Sequence, residues 1–455
     1  MKRSLLSLCL LAALSASPAY AADPALEARL KALEAQVATL QAQIAELKSA
    51  PKPADSPAPA PTDDVEAMAA AVSANPEDAA AAVAAAPEAA TSDSGSGTSN
   101  PNSMNPAISI ILNGQYAHHS INPDDFQRAG FPLAGEAGPG PQGFSLGESE
   151  ISFASNIDEK FYGQLSLSIG SEYGEDHLGL EEAYIETTSL PNSFAIRAGR
   201  FFSNVGYLNN HHAHTDNFFD RPLPYQAFLG NQYGDDGVQL RWVAPTDTYV
   251  ELGGEVLRGE NYPSGGAAHA GAGVKTLFAH FGGDVGSESS WLAGVSALDS
   301  HTEGGEDGFS GHARLYIADG TWKWAPDGNT KDGGITVRGE YFLEHRDGEW
   351  TNPDDVLETQ LWDGTRRGAY VEGIWRINRQ WDAGYRYDRL WADDEGPYAS
   401  DFDPDRHSVE LTWRNSEFSL LRLQLSRERA NEEDTDSAVS LQYQTSLGAH
   451  GAHKF

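Results

Sequence analysis

Cysteine is nearly missing from this chain of 455 residues; the single one is Cys9. It lies inside "MKRSLLSLCLLAALSASPAYAAD". There a basic tip (Lys2, Arg3), an apolar run from Leu5 to Leu14 and the small-residue site Ala19-Tyr20-Ala21 read as a secretory signal peptide over residues 1–21. Cys9 comes too early for a lipoprotein cleavage site, so the processed chain is expected to carry no thiol. That excludes a disulfide framework, a thiolate metal site and a cysteine nucleophile. Basic residues are scarce too, 31 Lys and Arg against 66 Asp and Glu. Residues 1–104 account for 6 basic and 12 acidic residues, which leaves 25 and 54, a net charge of −29, for the remainder. Such a surface repels nucleic acid, which is not expected as a partner. The third lack is of long apolar runs. Past the signal peptide no stretch reaches the roughly 18 residues that a membrane helix needs. One spanning structure stays open to an exported chain of this kind, a closed β-barrel.

What is present divides into three segments. Residues 22–48 carry a heptad, with Leu30, Val37 and Ile44 at a and Leu26, Leu33, Leu40 and Leu47 at d. This predicts a short coiled coil and self-association into a dimer or trimer. Residues 49–104 are rich in Ala, Pro, Ser, Gly and acid, too poor in apolar area to form a core, and read as a flexible linker. Residues 105–455 alternate apolar and polar in segments of 10 to 13 residues separated by turn residues. Sixteen such segments begin near 107, 145, 161, 177, 193, 235, 247, 272, 289, 309, 333, 366, 381, 405, 418 and 437.

The expected fold is therefore all-β, a transmembrane antiparallel barrel of about 16 strands. The turns sort by parity. Those after even-numbered strands are short ("DEK", "PNSF", "PTD", "NRQ", "NSE"), and those after odd-numbered strands are mostly long (119–144, 203–234, 260–271, 346–365, 392–404). Outer-membrane barrels have short periplasmic turns and long outer loops. Aromatic pairs flank the short turns, Trp242 with Tyr249, Trp375 with Trp381 and Trp413 with Phe418, as in an interfacial girdle. The polar parity then assigns a lumen lining of Arg197, Arg241, Arg314, Arg338, Arg376, Arg386, Arg414 and Arg422, facing Glu251, Glu340, Glu372 and Glu410. Glu150, Glu182, Glu186 and Asp382 share these inward faces. Opposed charges of this kind set a transverse field and tune ion selectivity, or neutralise one another as structural pairs.

The longest loop, "FFSNVGYLNNHHAHTDNFFDRPLPYQAFLGNQYGDDG", holds His211, His212 and His214 with Asp216 and Asp220. Imidazole with carboxylate suits Zn²⁺ or a similar divalent ion. Its position after the fifth strand resembles that of the third loop of many porins, which folds into the barrel and narrows it; the resemblance implies the same here, and the loop has enough aromatics to pack against the wall. The chain ends on Phe455, with Val439, Leu441, Tyr443 and Leu447 on the same parity. This ending resembles the terminal assembly signal that the barrel-insertion machinery of bacterial outer membranes reads.

In general plan the chain resembles porins with an N-terminal coiled coil, such as the phosphate-selective group. "NNHHAHTDNFFDRPLPYQAFLGNQYGDDGVQLRWVAPTD" and "SLGAHGAHKF" resemble a proteobacterial family often labelled zinc-regulated (TonB-dependent) outer-membrane receptors. That resemblance implies a link to zinc and points to His211, His212, His214 and Asp216. The folded plug and longer barrel of an energised receptor are not visible in the sequence. The expected function is a porin-like channel for passive diffusion of small hydrophilic solutes or ions. The alternative is an uptake protein or receptor that binds zinc or another divalent metal. No cofactor is required by the first reading and no enzyme is expected. The expected location is the outer membrane of a Gram-negative bacterium, with the coiled coil in the periplasm as a self-association element or a rod touching the cell wall.

Overall fold

The computed structural model describes residues 106–448 except 173–174, 267–270, 354 and 394. The signal peptide, the coiled coil, the linker and Phe455 lie outside the described residues. The chain divides into two compact units, residues 1–76 and 77–455, and every described residue belongs to the second.

Seventeen strand segments follow one another: β1 (Ala107–His119), β2 (Gly143–Leu146), β3 (Ser149–Asn156), β4 (Phe161–Glu172), β5 (Glu175–Thr187), β6 (Phe194–Phe202), β7 (Gly234–Val243), β8 (Tyr249–Leu257), β9 (Val274–Val285), β10 (Ser289–Thr302), β11 (Phe309–Trp324), β12 (Gly334–Thr351), β13 (Thr359–Arg376), β14 (Trp381–Trp391), β15 (Asp405–Ser416), β16 (Ser419–Arg429) and β17 (Thr435–Gly448). From β3 onward each pairs antiparallel with the next. β17 pairs with β1 from Ser109↔Gly448 to His119↔Ala438, which closes the ring. β2 and β3 both pair with β1 and are one stave broken at Gly147 and Glu148, so seventeen segments make sixteen staves. Closure leaves no unpaired edge, the condition for backbone to cross a hydrocarbon layer.

Alternation sets the two faces. On β16, Leu423 and Leu425 are exposed while Leu420, Arg422 and Gln424 are buried. Trp375, Trp381, Trp413 and Phe418 all project outward at the short-turn end, and Trp381 lies 6.4 Å from Trp413 across the β14–β15 ladder. The loop lengths differ from expectation at one hairpin. β12 and β13 run to 18 residues each, so the segment expected as a long loop at 346–365 shrinks to 352–358. A strand of that length spans about 60 Å, twice the roughly 30 Å hydrocarbon layer, so this hairpin continues past the membrane even when tilted. A second irregularity is a bulge on β5. Ser166 faces Glu182 and Leu167 faces Leu180, so Glu181 is an extra residue in the ladder.

A loop folded into the barrel

Residues 203–233, between β6 and β7, fold inward. Their centre is the short helix α1 (Leu223–Leu229), entered through Pro222 and Pro224 and closed by Gly230 at φ 57. Proline at a first turn and glycine in the left-handed region at the end delimit such a helix. All seven of its residues are buried; Gln226 accepts from Arg128 at 2.9 Å, and a helix whose other residues are apolar or aromatic must be covered on several sides. The wall of β12–β14 covers one side, with the Phe228 ring stacked on Phe342 at 5.9 Å. Neighbouring loops cover another: Phe131 meets Phe228 edge-on at 5.8 Å, and the Tyr262 hydroxyl donates to the Ala227 carbonyl at 2.8 Å. Inward-facing Leu257, Val274, Leu298, Leu315, Ile317 and Leu390 complete an apolar core inside the barrel. Each such large side chain contributes roughly 1.5–3 kcal/mol on burial.

Polar anchors tie the loop around the ring. The backbone N–H groups of Asn204, Gly206, Tyr207, Leu223 and Phe219 donate to Glu255, Ser296, Glu340, Asp388 and Gln424, at 2.8 to 3.1 Å. Gly206 sits at φ +66, and a Cβ there would meet Glu340 Oε2 and the Tyr225 hydroxyl, both at 2.7 Å. The Tyr225 hydroxyl donates to Glu340 at 3.0 Å, and the Tyr370 hydroxyl donates to it at 2.6 Å. Arg422 donates to the carbonyls of Asp216 at 2.7 Å and Phe218 at 3.1 Å.

Eleven of the twelve residues assigned to the lumen by parity face inward. Most are paired. Arg197 and Arg241 meet Glu186, with Glu251 3.7 Å from Arg241. Arg338 meets Glu372 at 3.1 Å, and Arg376 and Arg414 share Asp382. Glu340 holds the loop tyrosines, Glu410 accepts from Thr412, and Arg386 and Arg422 hold the loop. Arg314 is the exception and corrects the expectation. It is 58% exposed on the outer face beside Asp299 at 3.5 Å. Its neighbours Leu315 and Ile317 face inward, onto the loop. An apolar object inside the barrel makes the local lining apolar, and that reverses the hydropathy rule for this stretch of β11.

The five candidate metal ligands do not come together. His211 stacks on Tyr207 at 4.8 Å, and its Nδ1 lies 2.7 Å from the Tyr207 carbonyl. Asp216 is held by Arg221 at 2.6 Å. Asp220 binds Arg386 at 2.8 Å and Arg406 at 2.7 Å. Burial would raise the Asp220 carboxyl; the charges of Arg406 and Arg386 outweigh it and bring its pKa down to about 2. Burial raises that of Asp216 in spite of Arg221.

His212 and His214 remain together and turn to the opposite wall. His212 Nδ1 lies 3.0 Å from Glu150 Oε2 and 3.4 Å from Glu181 Oε2, and its Nε2 lies 3.1 Å from Glu182 Oε2. His214 Nδ1 lies 3.1 Å from the same Glu150 oxygen. Among the described residues, Glu150, His212 and His214 form the group whose donor atoms fall within 4.8 Å of one another. Burial disfavours charge on the His212 ring, yet Glu150, Glu181 and Glu182 around it raise its pKa well above the usual value. Sequence parity had put Glu150 and Glu182 on the inner face without joining them to the histidines. Glu181 reaches the lumen through the β5 bulge, which leaves no mark in the residue pattern.

One further pattern needs its context. Gly143-Phe144-Ser145-Leu146-Gly147 has the spacing of a hydrolase nucleophile elbow. Here it lies along β2, with Ser145 paired to Gln115, and runs into β3 rather than a helix. The strand–turn–helix that would expose the serine is lacking.

No family model matches the chain. An uncharacterized protein of Aquifex aeolicus (strain VF5) is 28% identical over 390 residues, 77% of this chain and 80% of that one. Among solved structures, an anion-selective porin from Comamonas acidovorans aligns over 75% of this chain and 99% of its own, with 9% identity and a TM-score of 0.49. The outer-membrane channel DcaP of Acinetobacter baumannii aligns over 75% and 97%, with 11% identity and a TM-score of 0.48. OmpF of Salmonella typhi, in complex with daunomycin, aligns over 75% and 98%, with 11% identity and a TM-score of 0.48.

Proposed function

We propose that the protein is a porin-like channel of the Gram-negative outer membrane, passing small hydrophilic solutes or ions by diffusion through a lumen that its own loop narrows. The observation that carries this reading is the inserted loop 203–233. It is bonded to the wall from β3 round to β16 inside a closed barrel whose outer face is apolar. Its two sides differ in charge. Glu150, Glu181, Glu182, Glu186, Glu251 and Glu255 outnumber Arg197 and Arg241 along β3–β8, whereas Arg338, Arg376, Arg386, Arg406, Arg414 and Arg422 along β12–β16 are matched by Glu340, Glu372, Asp382, Asp388, Glu410 and Glu428. A passing solute would meet an acidic wall on one side and a charge-balanced wall on the other, which favours cationic or dipolar solutes.

Planar-bilayer conductance of the purified barrel tests this. The wild type should give small discrete steps. Because Phe202 pairs with Gly234, residues 203–233 can be replaced by an Asn-Gly turn, and that variant should conduct several-fold more. Heat-modifiable mobility on gels checks that each barrel has formed. Folded barrels that pass no current with or without the loop would end the channel reading. Self-association through residues 22–48 belongs to the same proposal, and chemical cross-linking with and without that segment tests it.

A further inference from the structure

We infer that Glu150, His212 and His214 form a three-ligand site for a divalent transition-metal ion of the zinc type, with Glu181 beside it, one that clasps the inserted loop to the barrel wall. Three observations converge on it. The first is spacing. Zn²⁺ takes His nitrogen and carboxylate oxygen at about 2.0–2.2 Å in a tetrahedron, which sets neighbouring donor atoms roughly 3.3 Å apart. Glu150 Oε2 lies 3.0 Å from His212 Nδ1 and 3.1 Å from His214 Nδ1, and the three donor atoms all fall within 4.8 Å of one another.

The second is that the atoms facing the centre are left over. Glu150 Oε2, His212 Nδ1 and Glu181 Oε2 are buried and make no hydrogen bond. They approach one another without hydrogen-bond geometry, as donor atoms aimed at a shared ion do. Buried polar atoms are otherwise almost always hydrogen-bonded.

The third is the outer layer. Glu182 engages His212 Nε2 at 3.1 Å, which fixes that nitrogen as the N–H and directs the Nδ1 lone pair to the centre. A carboxylate behind a ligating imidazole is the usual partner of such a ligand. Ser152 donates to the other oxygen of Glu150 and holds its rotation. Two imidazoles select against Ca²⁺ and Mg²⁺, which take oxygen ligands, and a carboxylate with no thiolate suits Zn²⁺. With both histidines neutral, the carboxylates of Glu150, Glu181 and Glu182 more than balance the ion's charge.

The ligands come from two bodies. Glu150 belongs to the wall, on β3, with Glu181 of the β5 bulge beside it; His212 and His214 belong to the loop. An ion would join them, and its removal would leave the loop held on this side by weaker contacts. The binding claim stands apart from the channel reading, which it uses only for the consequence.

The test is Co²⁺ titration of the full-length protein, folded in detergent and stripped with a chelator, followed by visible absorption. Wild type and His211→Ala should bind one Co²⁺ per chain with the intense bands of tetrahedral coordination, lost on adding Zn²⁺. His212→Ala/His214→Ala and Glu150→Gln should lose that spectrum, and Glu182→Gln should bind roughly 10–100-fold more weakly. Weak octahedral bands in the wild type, or an unchanged spectrum in the double histidine variant or in Glu150→Gln, would overturn the site. The readout needs no current, so a failure here leaves the channel reading intact, and an insulating barrel leaves the metal site intact.

Discussion

The inserted loop is fastened at two ends in contrasting ways. At one end Asp220 reaches Arg386 and Arg406 on β14 and β15. At the other, His212 and His214 reach Glu150, Glu181 and Glu182 on β3 and β5. The polarity is reversed, with a loop carboxylate on wall guanidinium groups in the first case and loop imidazoles on wall carboxylates in the second. The difference in chemistry matters more than the sign. Guanidinium stays charged at every pH of interest and presents a fixed fork of donors, so the Asp220 end is a permanent fastening wherever Asp220 is ionised. Imidazole binds a proton or a metal ion through the same lone pair, so the histidine end depends on what is dissolved around it.

The contrast can be broken most strongly at the permanent end. Arg386→Ala would leave Asp388 and Asp220 short of a buried partner, and removing one member of such a set costs about 3–5 kcal/mol. The urea midpoint of the folded barrel should fall, and single-channel current should become larger and noisier as the loop loosens. A current trace like that of the wild type would mean that this end does not hold the loop.

Acid should act on the same end. The Asp220 carboxyl titrates at 3.8 in its ordinary state and at about 2 in the fold. A depressed acid stabilises the fold above its ordinary pKa and loses that contribution as pH falls through the folded value. The fastening is therefore whole above about pH 4 and fades toward pH 2, a contribution of about 2 kcal/mol. Asp220→Asn should remove that part of the acid dependence in a stability–pH curve between pH 5 and pH 2. A curve identical to the wild type would count against the ion pairs.

Tyr225→Phe tests the middle of the loop. It deletes the donor to Glu340 and the acceptor of the Leu208 N–H, leaving buried polar groups unmet for about 1–3 kcal/mol. The barrel should still form, with a lower urea midpoint. The smallest effect belongs to Arg314→Ala. Its exposed pair with Asp299 is worth about 0–1 kcal/mol, and neither stability nor conductance should move. A changed reversal potential in a salt gradient would return Arg314 to the lumen.

Much of this molecule was legible along the chain because a barrel repeats one rule. With lipid outside and polar groups inside, hydropathy of period two marks each stave, and the sixteen segments expected are the sixteen staves formed. Turn length and aromatic position follow from the two membrane surfaces in the same local way. The rule fails where its premise fails. At Arg314 the inside is apolar because the inserted loop lies there, and at β12–β13 the strands outrun the membrane that shortens the others. The candidate metal set shows the same division. Residue type alone selected a histidine-rich loop and, within it, the two histidines that the fold brings to Glu150, together with His211, Asp216 and Asp220, which the fold sends to other partners. Only the tertiary structure could decide that His212 and His214 meet Glu150 and Glu181. The loop lies about 30 to 60 residues from these glutamates, and a one-residue bulge turns Glu181 inward. Sequence states the chemistry each side chain can perform; the path of the loop across the lumen and the register of β5 decide which chemistries are brought within 3 to 4 Å of each other.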